Sequence, residues 1–361
     1  MNDVTLCTKC VMTSRTPGIA FDEKGMCNYC NTHTPMQVKP EGALTAILDR
    51  FRDKGGKYDC IVGLSGGRDS TYALWKLVKD YKMNVLAVNY NNPFKSRQAQ
   101  ENIDNALKIL NVDCVTWGFS PDEHRLTTQK NMKIWAKHPS SNMIPIVCAH
   151  CKSWWPGFFS IARKNNIKLF VIGSNPLETA SFKKAGFGGA RTYHKLSNLP
   201  KMIGKSVGEI VNNPAYLTTN WNMVLKMYLG SSHSTPYMRW RYKDITVVRL
   251  FDYLKWNEKE VEAAIAKELK WRKSDELPSS WRFDCRLDYI RRLMYASTIG
   301  VTELRDLFSK MIREGQMTRE EALERLVKEN TVPKKAVESV LNQLDMKLSD
   351  FNMKIDESLL T

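Results

Sequence analysis

The sequence predicts an α/β protein built on a doubly wound parallel sheet, with a small cysteine-rich unit before the sheet and a helical domain after it. Three observations carry this expectation. Short apolar runs alternate with helix-period segments from about residue 60 to residue 250, the pattern of parallel strands covered by helices on both faces. Four of the nine cysteines fall near the start as two tight pairs. From Asn257 onward the strand-like runs cease and helical periodicity takes over.

Residues 1–35 contain Cys7-Thr-Lys-Cys10 and Cys27-Asn-Tyr-Cys30, with sixteen residues between the pairs. Two thiolates on each tight turn can reach one tetrahedral ion, so Cys7, Cys10, Cys27 and Cys30 are the expected ligands of a zinc ribbon. A linker from Pro35 to Pro40 follows. Residues 40–255 form the expected α/β domain, opening with an amphipathic helix over 43–52. Its strands are expected at 60–64, 85–90, 114–118 and 168–172, with a last strand or buried segment at 246–250. Helices are expected at 70–80, 97–110 and 152–166. In the helical domain, 256–361, helices are expected over 258–269 and 301–313. A capping box at Thr318 to Glu321 opens another, and Pro333 marks the first turn of one more.

With 361 residues, 43% of them apolar, the chain can bury a substantial core. Its 54 Lys and Arg against 38 Asp and Glu leave a formal charge of +16, which favours an anionic partner: nucleic acid, nucleotide, sugar phosphate or acidic protein. No basic segment followed by an apolar one opens the chain, and no apolar run approaches the roughly 18 residues of a membrane span. The expected location is the cytoplasm, with no membrane partner.

The chemistry is concentrated in Ser65-Gly66-Gly67-Arg68-Asp69-Ser70, between the first strand and the helix expected near Ser70. The glycines let backbone N–H groups turn toward an oxyanion, and the hydroxyls of Ser65 and Ser70 add donors at the positive end of the helix. An aspartate in such a site repels phosphate unless a cation stands between them, so Asp69 implies Mg²⁺. The spacing fits neither a kinase-type P-loop nor a Gly-x-Gly-x-x-Gly motif.

These six residues resemble the PP-loop of the N-type ATP pyrophosphatases, within the adenine nucleotide alpha hydrolase-like fold. The resemblance implies cleavage of ATP between its α and β phosphates, transfer of AMP to a substrate carbonyl oxygen, and retention of pyrophosphate in the loop. It implies ATP contacts from Ser65, Gly66, Gly67, Arg68, Asp69 and Ser70. It also places Gly173, Asn175 and Glu178, after the fourth strand, near the adenylated group, and gives Arg249 a phosphate-binding role alongside Arg68.

More of the chain looks like the N-acetyl sugar amidotransferases. The segments Phe21 to Cys30, Gly55 to Asp59, Glu268 to Arg272 and Gly315 to Leu323 are similar to that family. The likeness implies conversion of a sugar's acetamido group to an acetamidino group in surface-polysaccharide biosynthesis, with ammonia from a separate glutaminase subunit. The substrate would be an N-acetyl sugar or sugar nucleotide. Cys148-Ala-His-Cys151 departs from the pattern. Similar pairs in PP-loop enzymes that add sulfur to tRNA or small amides hold an iron–sulfur cluster or carry persulfide. Such a cluster needs a third ligand, and Cys60, Cys114 and Cys285 are all available, although the first two sit in strand-like runs that favour the core. A sulfurtransferase acting on tRNA or an amide is therefore the alternative function. A zinc-ribbon nucleic-acid-binding protein is the alternative from another class. Arg239 to Lys243 interleaves basic and aromatic residues, and Gly186 to Arg191 offers a turn that can meet a substrate phosphate.

Overall fold

The computed structural model describes residues 4–182, 199–277, 279–355 and 359–361. The glycine-rich stretch Gly186 to Arg191 lies outside the described residues. Helix α1 (Glu41–Asp49) precedes strand β1 (Cys60–Gly63), helix α2 (Arg68–Lys79), β2 (Val85–Tyr90), α3 (Arg97–Leu110), β3 (Asp113–Trp117), α4 (Pro121–Lys137), α5 (Trp155–Lys164) and β4 (Leu169–Ile172). After these come α6 (Leu199–Asn212), α7 (Trp221–Gly230), α8 (Pro236–Arg241) and β5 (Thr246–Arg249). The helical region comprises α9 (Glu258–Leu269), α10 (Leu287–Ile299), α11 (Glu303–Arg313), α12 (Arg319–Glu329) and α13 (Lys334–Gln343).

All five strands are parallel, in the order β3-β2-β1-β4-β5. Strand order therefore reverses between β1 and β4, and the carboxyl ends of these two strands border the crevice where such sheets bind ligands. Period-2 alternation divides the strand side chains between two cores. Val62, Leu64, Ala87 and Val171 pack with Leu74 and Leu77 of α2 and Ile103 of α3. On the other face Ile61, Leu86, Val88 and Phe170 meet Phe158 and Phe159 of α5 and Met238 of α8. Each fully buried side chain of this size contributes about 1.5–3 kcal/mol. Trp155 belongs to this second core and stacks on Trp154, 4.1 Å between centroids, so the pair is packing.

Several elements differ from expectation. Helix α2 begins at Arg68, with Gly67 as its cap, rather than near Ser70. That puts Arg68 and Asp69 inside the first turn. Helices α4, α6, α7, α8 and α10 are additional. In α4 the buried stripe includes His124, Thr128 and Asn131, which hides its apolar period. The helix expected from Val301 starts at Glu303, capped by the Thr302 hydroxyl, and Pro333 is the cap of α13 rather than part of its first turn. The Thr318 hydroxyl caps α12, accepting from the backbone N–H of Glu321. Among the described residues no helix is long and apolar enough to cross a membrane.

Candidate active site

The backbone leaves β1 at Gly63, turns through Ser65 to Gly67 and enters α2, so the loop lies at the switch point. Gly66 has φ +82°, and a Cβ there would lie 2.1 Å from the Ala99 carbonyl oxygen, so only glycine fits. Its own carbonyl accepts from Trp271 Nε1 (3.0 Å) and Asn102 Nδ2 (3.2 Å). Ser65 and Ser70 hydroxyls stand 3.1 Å apart, and Gly67 N–H donates to Ser65 Oγ at 3.3 Å. With the unsatisfied N–H groups of the first turn of α2, these donors form a concave anion cradle.

Asp69 is buried at the floor. Trp256 Nε1 donates to Oδ1 at 2.8 Å and Asn175 Nδ2 to Oδ2 at 3.1 Å. Asn175 is itself fixed by accepting from Leu177 N–H at 2.7 Å. Gly173 packs directly on α2, where a Cβ would come within 2.7 Å of the Asp69 carbonyl oxygen. Gly173, Asn175 and Asp69 thus belong to one site. Glu178 is half-buried nearby. Burial and the negative charge of Asp69 push its carboxyl up to about 8 against the opposing pull of Arg282 and Arg68, so it is mostly protonated at neutral pH.

Arg68 does not point into the cradle. Its Nη1 reaches Glu258 Oε1 at 2.5 Å, Ser280 Oγ at 2.9 Å and Glu262 Oε1 at 3.5 Å, while Nε lies 3.4 Å from Asp69. The guanidinium also sits over the Trp256 ring at 5.0 Å. Only its Nη2, buried and without a partner, remains for a ligand. Starting the helix at Arg68 is what turns this side chain onto α9. Arg249 ends β5, register-paired with Ile172, and is exposed at the same edge of the sheet.

Two residues of the site carry no local sequence signal. The Asp284 carboxylate hydrogen-bonds Ser65, and a Cβ on Gly67 would lie 3.5 Å from its Oδ2. Burial raises its pKa, while Ser65 and Arg282 oppose the shift. Lys95 reaches Asn89 Oδ1 at the carboxyl end of β2, and burial lowers its pKa.

The four ribbon cysteines are buried, and their sulfurs all lie within 4.8 Å of one another, the one such grouping among the described residues. Cys7 and Cys30 sulfurs are 3.9 Å apart, Cys10 and Cys27 3.7 Å. N–H groups of Lys9, Cys10 and Cys27 point at Cys7 Sγ, and Arg313 Nη1 lies 3.7 Å from Cys10 Sγ. This is a site that could hold a metal ion.

Cys148 and Cys151 are half-buried and not part of the cradle. Cys151 Sγ lies 3.6 Å from His124 Nε2, and His150 stacks on His124 at 4.8 Å. Burial, with the Cys285 and Cys148 thiols nearby, keeps the Cys151 pKa well above that of a free thiol. Cys285 accepts from Asn92 Nδ2 at 3.2 Å, and burial pushes it up to about 12, with Cys148 adding to the shift. Of the three cysteines open as a third ligand, Cys285 is the one whose charge is felt by Cys151, although the three form no metal-binding grouping among the described residues. Cys60 is fully buried in β1, and Cys114 of β3 packs against the same core. In the basic segment Trp240 is exposed and Arg241 lies over Tyr242 at 5.3 Å.

Residues 287–359 match the family described as LPS biosynthesis protein WbpG-like, C-terminal domain. A curated relative, an uncharacterized protein of Methanocaldococcus jannaschii, is 37% identical over 111 residues. That match spans 30% of this chain and 40% of the relative's length. Two solved structures each align with 86% of this chain at 14% identity. NMN synthetase from Francisella tularensis is covered over 98% of its chain with a TM-score of 0.37. The U34-tRNA thiolase NcsA from Methanococcus maripaludis, solved with its 4Fe–4S cluster, is covered over 86% with a TM-score of 0.35. The intact Ser65–Ser70 segment lies at the switch point of the parallel sheet, and the fold, a parallel five-stranded sheet between a four-cysteine unit and a helical tail, is the one expected from the sequence.

Proposed function

We propose that the protein is an ATP-dependent amidotransferase that converts the acetamido group of an N-acetyl sugar or sugar nucleotide into an acetamidino group. One observation carries the reading: a donor-lined cradle with Asp69 at its floor opens at the switch point of a chain whose tail matches a lipopolysaccharide-biosynthesis family.

In this reading the β and γ phosphates of ATP rest on the Ser65 and Ser70 hydroxyls and the first-turn N–H groups of α2. Arg68 Nη2 lies beneath, and Lys95 and Arg249 lie at the rim. Magnesium fits the donor set of Asp69, with Glu178 and Asp284 beside it, and supplies charge neutralisation of the triphosphate. Asn175 and Trp256 hold the Asp69 carboxylate in a fixed orientation. The acetamido oxygen attacks the α phosphorus, the bond to the β-phosphate oxygen breaks, and pyrophosphate stays in the loop. Ammonia then adds to the imidate carbon, AMP leaves with the former amide oxygen, and loss of a proton gives the amidine. Adenylation is needed because an amide oxygen is otherwise a very poor leaving group. Ammonia comes from a separate glutaminase subunit, and the enzyme works in the cytoplasm. The ribbon holds zinc: four thiolates about 2.3 Å from one tetrahedral ion stand about 3.8 Å apart, close to the observed sulfur spacings.

A second reading, sulfur insertion into tRNA or a small amide, rests on Cys148 and Cys151, with Cys285 interacting electrostatically with both. Assay of the purified protein with ATP, Mg²⁺, N-acetyl sugar nucleotides and high ammonium separates the readings. AMP, pyrophosphate and a product one mass unit lighter than the substrate are expected. ADP and orthophosphate would refute the pyrophosphatase reading, and turnover with sulfide but not ammonium would favour the second.

A further inference from the structure

A cavity of about 420 Å³ lies between the ribbon and the helical domain, and it shares no residue with the PP-loop cradle. That volume falls within the range of small-molecule sites, roughly 300–1,000 Å³. Its polar wall is one-sided. Arg15 and Arg305 both line it, and none of its described lining residues is acidic. Among the described residues neither arginine forms an ion pair. Arg305 Nη1 donates to the Val11 carbonyl at 2.8 Å, which fixes the guanidinium at the wall without neutralising it.

A further feature points to an oxyanion. Thr13 lines the cavity, is 5% exposed, and has a buried hydroxyl with no hydrogen-bond partner among the described residues. A buried hydroxyl left unpaired costs about 1–3 kcal/mol, which a bound acceptor recovers. Thr302, the cap of the eleven-residue α11, also lines the cavity, its hydroxyl accepting from the Arg305 N–H and donating to Asn330 Oδ1 at 2.6 Å. The remaining wall is apolar, with Leu323, Leu326 and Val327 of α12, Ala296 and Leu359.

We propose that this cavity is a second ligand site, for a small organic phosphate whose oxyanion is held by Arg15, Arg305 and Thr13 while its carbon skeleton lies on the leucines of α12. The site is placed to communicate with the loop. Arg325, on the same helix as Leu323 and Leu326, binds Glu258 Oε2 at 2.6 Å, and Glu258 Oε1 binds Arg68.

Calorimetric titration of the full chain with n-butyl phosphate tests the proposal, with n-butanol and inorganic phosphate as separate arms. The PP-loop also attracts phosphate, so every arm is repeated in a Ser65→Ala/Ser70→Ala variant. Butyl phosphate is expected to bind with a dissociation constant of about 1 mM or tighter, and to keep one site in the loop variant. Butanol should not bind, and inorganic phosphate should bind the loop variant more weakly than butyl phosphate. Arg15→Ala, at an exposed position without a hydrogen-bond partner among the described residues, should weaken that site at least tenfold; Thr13→Val, which preserves shape, should weaken it severalfold. Should either variant lose its fold, Arg15→Gln replaces it. Butyl phosphate binding that vanishes with the loop variant, survives Arg15→Ala and Thr13→Val unchanged, or is absent in the wild type at about 10 mM would overturn the proposal.

Discussion

Replacing Glu258 by Gln keeps the shape of a buried side chain and removes the charge shared by Arg68 and Arg325. Both Arg68 and Glu258 are almost fully buried, at 3% and 6% exposure, so solvent cannot take over the lost partner. Removing one member of a buried pair costs about 3–5 kcal/mol. Here Arg68 retains Asp69 at 3.4 Å and Glu262 at 3.5 Å, and Arg325 retains Glu329 at 2.5 Å, which lowers the expected cost to about 2–3 kcal/mol. That is roughly a 30- to 150-fold change in the folding equilibrium, measured as a shift of the urea midpoint at constant slope. The pH dependence gives a second check. Burial opposes the Glu258 charge, but Arg68 and Arg325 outweigh it and hold the pKa below the usual value. A depressed folded-state pKa contributes stability above the unfolded value, about 4.3, which is lost as the pH falls through the folded one. Wild type should therefore lose more stability than Glu258→Gln below about pH 4.3. In a double-mutant cycle with Arg68→Met, the combined loss should fall well short of the sum. A loss under about 0.5 kcal/mol, or simple additivity with Arg68→Met, would refute the argument.

Gly66→Ala forces a side chain against the Ala99 carbonyl at a positive φ, so the cradle should open and ATP turnover fall at least 100-fold while circular dichroism stays native; turnover within threefold of wild type would contradict this. Because the folded-state pKa of Glu178 is raised to about 8, its contribution is fully present below about pH 4.3 and disappears as the pH rises through 8. Glu178→Gln should flatten the fall in urea stability between pH 5 and 8.5, and an unchanged difference between those pH values would count against a neutral Glu178. Cys7→Ser or Cys27→Ser should reduce bound zinc by elemental analysis and lower the thermal midpoint, whereas full metal content in both would reject the four-thiolate site. Cys148→Ser/Cys151→Ser should still transfer nitrogen from ammonium; a variant that forms AMP but no product would shift the assignment to sulfur chemistry.

What was legible in the sequence was local. The five strands and the loop announce themselves because β-branched runs and a strand–glycine–helix transition need no distant partner to be recognised. The helix at 121–137 was hidden because His124, Thr128 and Asn131 occupy its buried stripe. Two of them are satisfied inside the fold: Asn131 donates to the Ile146 carbonyl at 2.9 Å and accepts from Thr219, and His124 Nδ1 lies 3.4 Å from the Tyr90 hydroxyl, whereas the buried Thr128 hydroxyl has no hydrogen-bond partner among the described residues. The anchoring of Arg68 was hidden for a similar reason. An arginine inside a phosphate loop suggests a phosphate ligand, and nothing local shows that Glu258, 190 residues away, holds its Nη1. Asp284, Trp256 and Trp271 carry no motif, and only folding brings them to the loop. The same holds for Cys285, which sequence alone left level with Cys60 and Cys114.

The dependence of the loop on those distant residues has a consequence for the order of events during synthesis. Ser65 to Ser70 leave the ribosome early, yet the indoles that hold Asp69 and the Gly66 carbonyl lie 187 and 205 residues further along. Glu258, which holds Arg68, is itself held by Arg325 from α12. Domains ordinarily fold as they emerge, but here the nascent sheet carries the loop sequence without its clamps. The loop therefore reaches its final shape late, when α12 has been made and docked. A truncated chain ending before residue 256 keeps Asn102 and Asn175 against the loop but loses both indoles and Glu258.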